Sequence, residues 1–322
     1  MKKNHIFTTV RISVSSLLIF LMVAPAAKII SPVFPLVDIT GFPEIIQNTD
    51  KRFLLLAVVL SLISATMLAW RWKIITLKKE LPFSFLWRLT FIGMFFNNFL
   101  PTGAGGDVVK GYYLLKGREK KLDLGISIFM DRLLGTLSIM AMGFVALLFF
   151  PHLAKVAVFL ITAIYLSMLF FLLVAAWPGL GRILGKIFFF RKWGKPAESV
   201  RRLYYGLHNY LQNPLPMMQA LLVSFGCQLL AIGVNYLVAF SLKTPAALGF
   251  FFVSIPLIWT FTAIPSLGGL GVRETGYLVF FQGQMGRENA FTLSLIMFGL
   301  SLLNSIIGGL IYFGGVKWQK KS

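Results

Sequence analysis

The chain has 322 residues, of which 57% are apolar and 13% charged, about half the charged fraction of a soluble domain. Together with a mean hydropathy of +0.79, this excludes a soluble globular protein. The net charge of +20 would suggest nucleic acid in a soluble chain. Here the basic residues lie beside apolar runs, where membrane orientation and anionic headgroups account for them and nucleic-acid binding is set aside.

Lys2 and Lys3, the apolar run 12–23 and Ala24-Pro25-Ala26 imitate a secretory signal with its cleavage site. The apolar stretch continues past position 26, so the reading is a first span, with Arg11 and Lys28 snorkelling at its ends. Residues 31–52, with Pro32, Pro35, Gly41 and Pro43, read as an irregular cap. The charge-free run 53–70 is long enough to span a bilayer. Trp70-Arg71-Trp72 at its end reads as an aromatic-belt anchor with a basic flank and no chemistry of its own.

Segment 85–106 lies between the basic stretches 71–88 and 107–123. Lys and Arg mark cytoplasmic flanks, so both ends lie on one side. The segment must enter and return, turning at Pro101 and the glycines Gly103, Gly105 and Gly106. Runs 124–150 and 156–177 then cross out and back. Segment 178–215 is basic, interleaved with Ile187-Phe188-Phe189-Phe190 and Leu203-Tyr204-Tyr205; it suits interfacial helices on an anionic leaflet or a solvated linker. Run 217–242 crosses again and 289–316 returns to the basic C-terminus. Segment 244–288 therefore starts and ends outside, as a second re-entrant hairpin broken from Pro265 to Gly271.

The expectation is one polytopic all-α membrane domain over 1–322. It has six full transmembrane helices plus two re-entrant hairpins in an inverted repeat, with half-repeats of roughly 1–150 and 151–322.

The two breaks resemble each other. Leu100-Pro101-Thr102-Gly103-Ala104-Gly105-Gly106-Asp107 runs on to Lys110-Gly111-Tyr112. Ile264-Pro265-Ser266-Leu267-Gly268-Gly269-Leu270-Gly271-Val272-Arg273-Glu274 runs on to Gly276-Tyr277. Non-helical backbone at membrane depth is tolerated only where it is buried in protein or lines a wet cavity, and paired breaks mark the site of a two-half transporter.

The candidate substrate-binding set is Asn97, Gly103, Gly105, Gly106, Lys110, Ser266, Gly268, Gly269, Gly271 and Arg273. Backbone N–H groups and the two cations suit a phosphate or carboxylate headgroup. Asp107 fits an N-cap of the returning helix. Asp107, Asp131, Arg132 and Glu274 are candidate gating ion pairs, since charges inside a span should pair in the bundle interior; fixed interhelical salt bridges satisfy the same pattern. Asn97 and Asn98 either satisfy broken backbone or contact a headgroup. The glycines alternatively serve close helix packing. Cys227 lies in an apolar run and packs there. The three histidines are scattered, and no P-loop, metal-hydrolase cluster or serine elbow is present, so no cofactor and no metal are expected.

The ordered motifs Asn97-x-x-Leu100-Pro101-x-Gly103-x-Gly105-Gly106-Asp107-x-x-Lys110, Asp131-Arg132 and Pro265-Ser266-x-Gly268-Gly269-x-Gly271-Val272-Arg273-Glu274 resemble the flippase-like family that includes the transmembrane region of lysylphosphatidylglycerol synthases. The resemblance covers about residues 10–315. Lys110 stands where the family usually has Arg, keeping the charge and losing the bidentate fork. The resemblance implies movement of a lipid between leaflets, with phospholipid or polyprenyl-phosphate carriers both open. The cytosolic aminoacylating domain of the two-domain synthases is absent, so aminoacyl transfer is not implied.

The functional expectation is a flippase for a phosphate-bearing lipid in a cell membrane, non-enzymatic, with its C-terminus cytoplasmic and membrane lipids as partners. A headgroup-modifying enzyme and a non-catalytic accessory subunit are the rival readings.

Overall fold

The computed structural model describes residues 42–77, 81–100, 105–116, 121–149, 166, 210, 212–244, 246–261 and 272–315. Among these, the helices are α1 (Phe42–Asn48), α2 (Lys51–Ile75), α3 (Phe83–Phe99), α4 (Gly105–Leu115), α5 (Lys121–Phe149), α6 (Pro214–Ser241), α7 (Leu248–Phe261), α8 (Val272–Met285) and α9 (Arg287–Phe313). No strand occurs among the described residues. The expected first span, the crossing at 156–177 and most of the amphipathic loop 178–215 lie outside the described residues, the exceptions being 166, 210 and 212–215.

Among the described residues, four helices are long and apolar enough to cross a membrane: α2, α5 over Leu124–Val145, α6 and α9. The protein is an integral, multi-pass membrane protein. Apolar side chains cover their surfaces as well as their contacts, so packing, not amphipathicity, decides which face is inside. Leu55, Leu56, Val59, Ile63, Leu222 and Leu229 stay exposed on α2 and α6.

Buried clusters define two ends. At the lower end, Trp72, Leu81, Leu86, Leu89, Tyr113, Leu114 and Leu124 pack together with Tyr312 against them. Beside them, Ile75, Ile126, Met130, Leu134, Tyr210 and Ala220 form a second cluster. At the upper end, Ala57, Val238, Phe251, Tyr277, Phe281, Ala290 and Phe291 belong to a third. Asp50 caps α2 there by accepting from Arg52 N–H at 2.9 Å, and its own N–H donates to Ser241 O at 2.9 Å. Residues 42–48, expected to be irregular, form the short helix α1, which packs on α9.

The short helices form two antiparallel hairpins. In the first, α3 rises from the lower end and α4 returns, with Gly106 against Gly93 and Asn97, and Tyr113 and Leu114 in the cluster of Leu86 and Leu89. At 17 and 11 residues these helices are about 25 and 16 Å long, shorter than the ~30 Å hydrocarbon core. In the second, α7 descends from the upper end and α8 returns, each with 14 residues, about 21 Å. The return limb of the first hairpin runs on to Leu115. The sequence reading put Asp107 and Lys110 at the start of a returning helix but counted Lys110 with the basic cytoplasmic stretch 107–123; here the lysine lies within the hairpin, its stem against Gly93.

The helices pack in matched sets. α2 lies along α6; α3 packs on α9 and α7 on α5; α8 packs on α9 and α4 on α5; α2 meets α3 as α6 meets α7; α2 and α6 each also touch α5 and α9. Two residues beyond their helix ends, Leu77 after α2 and Lys243 after α6 both take positive φ, 51° and 57°, the left-handed termination usually given to glycine.

Candidate functional site

At the inner end of the first hairpin, polar groups close the broken backbone. Gly106 N–H donates to Asn97 Oδ1 at 2.7 Å, so the last turn of α3 caps the first turn of α4. A Cβ on Gly106 would lie 2.0 Å from Gly93 O, and one on Gly105 2.6 Å from Leu100. These two glycines therefore let α4 close on α3. Asp107 is not an N-cap: it lies inside α4, and its carboxylate accepts from Arg132 Nε–H on α5 and pairs with Lys110 Nζ at 3.6 Å. Lys110 lays its stem over Gly93, with its ammonium 5.3 Å from the Trp72 ring centre. The Asp107 and Lys110 side chains are 15% and 12% exposed, while that of Arg132 is 51% exposed.

Asp131 turns to another helix. Arg71 Nε–H donates to Asp131 Oδ1 at 2.7 Å, and Nη1–H donates to Ser224 Oγ on α6 at 3.2 Å. Arg71 and Asp131 are 5% and 9% exposed. Trp72 Nε1–H donates to Ser127 Oγ at 3.2 Å. The sequence reading of Trp70-Arg71-Trp72 is thus corrected: only Trp70 faces outward, at 55% exposure. Arg71 joins α2, α5 and α6 through one guanidinium. A buried carboxylate at Asp131 demands a cation, and that demand was the available signal.

In the second hairpin, Arg273 donates to Glu274 Oε1 through Nη2 at 2.9 Å and Nε at 3.2 Å. Its guanidinium carbon lies 4.8 Å from the Phe298 ring centre, a cation–π contact. One turn on, Tyr277 Oη–H donates to Asn235 Oδ1 on α6, and Asn235 Nδ2–H donates to Ala231 O at 2.8 Å. Asn235 and Tyr277 were absent from the expected site, because neither carries charge in an otherwise apolar run.

Helix α9 measures how close the hairpins come. Asn98, in the last turn of α3, donates through Nδ2 to Ser301 Oγ at 2.9 Å and Ser305 Oγ at 2.5 Å. Ser305 Oγ–H donates in turn to Met94 O at 3.2 Å, and a Cβ on Gly308 would meet Phe91 O at 2.0 Å. Phe298, Ser301 and Ser305 are spaced i, i+3, i+7, one stripe of the helix. The end of the first hairpin's rising limb and the start of the second hairpin's return limb therefore touch the same stripe, separated by three to seven residues or roughly 5–10 Å. Asn304 Oδ1, on the same helix, is buried without a hydrogen-bond partner.

Among the described residues no group of three His, Cys, Asp or Glu side chains could hold a metal. Cys227 is buried on α6. Pro101, Gly103, Pro265, Ser266, Gly268, Gly269 and Gly271 lie outside the described residues.

The chain matches the family described as the lysylphosphatidylglycerol synthase transmembrane region over residues 9–308. It is 31% identical over 97 residues to a UPF0104 membrane protein of Methanocaldococcus jannaschii. That stretch covers 29% of this chain and 29% of the relative's length. No solved structure gives a significant match. With 9–308 of its 322 residues matched, the chain belongs to the family of the lysylphosphatidylglycerol synthase transmembrane region.

Proposed function

We propose that this protein moves a phosphate-bearing lipid between the leaflets of a cell membrane, without covalent chemistry. The observation that carries the reading is the meeting of two opposed helical hairpins on one stripe of α9, with Arg132 and Arg273 at the middle of the bundle. Arg132 lies eleven residues into α5, roughly 17 Å from its start. An intramembrane guanidinium is costly unless it faces protein or a polar cavity, and it marks a pathway.

The matched packing supports an inverted repeat. Exchanging α2–α5 for α6–α9 maps the α2–α6 contact onto itself and each of the other helix contacts described for α2–α9 onto another, while the chain direction reverses. The paired left-handed terminations at Leu77 and Lys243 follow the same exchange. The basic stretches 71–88 and 107–123 make the lower end the cytoplasmic one by the positive-inside rule, and α9 ends there, with Tyr312 against the lower cluster. In this arrangement the first hairpin opens to the cytoplasm and the second to the outside. The headgroup crosses through the polar middle, its tails remaining in lipid. Asp107, Asp131, Arg132 and Glu274 exchange partners between the two access states.

The test is transport by Arg273→Ala in proteoliposomes, read by a leaflet-resolved lipid assay, with monodisperse elution as the folding control. The reading predicts loss of transport in a protein that still inserts and elutes normally. Unchanged lipid movement in that variant would overturn it.

A further inference from the structure

The two hairpins are not held alike. In the first, backbone meets backbone. A Cβ on Gly106 would lie 2.0 Å from Gly93 O, and one on Gly308 would lie 2.0 Å from Phe91 O. Asn98 adds hydrogen bonds to Ser301 Oγ at 2.9 Å and Ser305 Oγ at 2.5 Å. Helix α3 carries no proline, so its hydrogen-bond ladder runs unbroken up to this clamp on α9. Carbonyls packed this closely cannot slide past a neighbouring helix as flexible side chains can.

Where the first hairpin has clamps, the second has soft points. Pro256 sits inside α7. It has no N–H, so Phe252 O loses its helical donor. Two residues earlier, Ser254 Oγ–H donates to Phe250 O at 2.6 Å, a back-bond that bends helices. In the return limb, Gly276 lies one turn into α8, and glycine weakens a helix interior. The soft points lie side by side. A Cβ on Gly276 would be 3.2 Å from Ile258 Cγ1, and one on Gly143 of α5 would be 3.1 Å from Pro256 Cβ. Both neighbours are side-chain atoms, not carbonyls. On the outer side of this line the hairpin is anchored: Tyr277 Oη–H donates to Asn235 of α6, and the Phe281 ring centre lies 4.8 Å from that of Phe251. On the inner side of it stand Arg273 and Glu274, with the Arg273 guanidinium against the Phe298 ring.

Resting on the transport reading above, we infer that the second hairpin is the moving gate and the first a fixed platform. The inner part of the second hairpin, carrying Arg273 and Glu274, swings on a line through Pro256 and Gly276 and lifts Arg273 from Phe298. Proline and glycine within helices are the positions where bends concentrate, and a hinge needs only a few residues to absorb the φ/ψ change. Helix contacts match between the two halves; freedom to move does not.

Pulsed dipolar spectroscopy tests the inference on the full-length protein. Thr275 in the inner part of the second hairpin, Val108 at the start of the first hairpin's return limb and Leu310 on α9 are all exposed. In a Cys227→Ser background, Thr275→Cys and Val108→Cys are each paired with Leu310→Cys, spin-labelled, and reconstituted in liposomes of phosphatidylglycerol and phosphatidylcholine. The expected result is two separations for the 275–310 pair, differing by at least about 5 Å, the scale of one helical turn, and one separation for the 108–310 pair. Pro256→Ala returns the missing N–H to α7 and should collapse the first pair to a single separation while leaving the second unchanged. One separation for the 275–310 pair without that substitution, two for the 108–310 pair, or a 275–310 distribution unmoved by Pro256→Ala overturns the hinge. Leaflet exchange in the same proteoliposomes reports on transport separately. Exchange with a single 275–310 separation sinks the hinge and leaves transport standing; two separations with no exchange do the reverse.

Discussion

Arg71 shows what a single residue can hold together. Its guanidinium binds a carboxylate on α5 and a hydroxyl on α6, with side-chain exposures of 6% for Arg71 and 12% for Asp131. Removing one partner of such a pair leaves the other charged and dry. Arg71→Met should therefore cost about 3–5 kcal/mol, while Arg71→Met with Asp131→Leu should recover most of that loss. Thermal unfolding in detergent checks both; a single variant as stable as the double one contradicts the assignment. At this scale the sequence was half legible. Asp131, Arg132 and Asp107 were identifiable as charges needing partners, but sequence spacing cannot say which cation turns inward. Arg71 was read by its two tryptophan neighbours as an interface residue, although successive positions on a helix point about 100° apart. Trp70 indeed faces out, while Arg71 and Trp72 face in.

Among the elements, close approach of backbones sets the geometry. Gly106 meets Gly93 O and Gly308 meets Phe91 O, each at 2.0 Å for an added Cβ, and neither carbonyl can move aside as a flexible side chain would. Gly106→Ala and Gly308→Ala should each lower stability by about 1–3 kcal/mol, the cost of overpacking. Gly111→Ala is the contrast: its Cβ would sit 3.6 Å from Ile128 Cδ1, an ordinary contact, and alanine favours the helix by up to about 1 kcal/mol. Equal loss at all three positions, by the same unfolding measurement, would contradict this view. The existence of two interrupted segments was legible from Pro101 and Pro265 followed by glycines. Their extent was not. Lys110 was counted with the basic cytoplasmic stretch 107–123, and only its stem on Gly93 and its ammonium beside Asp107 and Trp72 show how far the hairpin extends.

For the whole molecule, loop charge and crossing parity led to two hairpins opening in opposite directions. Within the described residues, the open end of α3 and α4 packs with Trp72 and Tyr312, while the upper-end cluster gathers α7 and α8 with Ala57 and Ala290. What parity could not supply is depth, which depends on side-chain contacts such as Asn98 with Ser301 and Arg273 with Phe298. Membrane sidedness is the claim on which the transport reading stands, and labelling tests it directly. Lys116, just past α4, and Gln284, in the last turn of α8, are both exposed, while Cys227 is buried. In a Cys227→Ser background, Lys116→Cys and Gln284→Cys are treated with a membrane-impermeant maleimide in right-side-out and inverted vesicles. The account predicts that position 116 reacts only in inverted vesicles and position 284 only in right-side-out ones; reaction of both in the same orientation would contradict it.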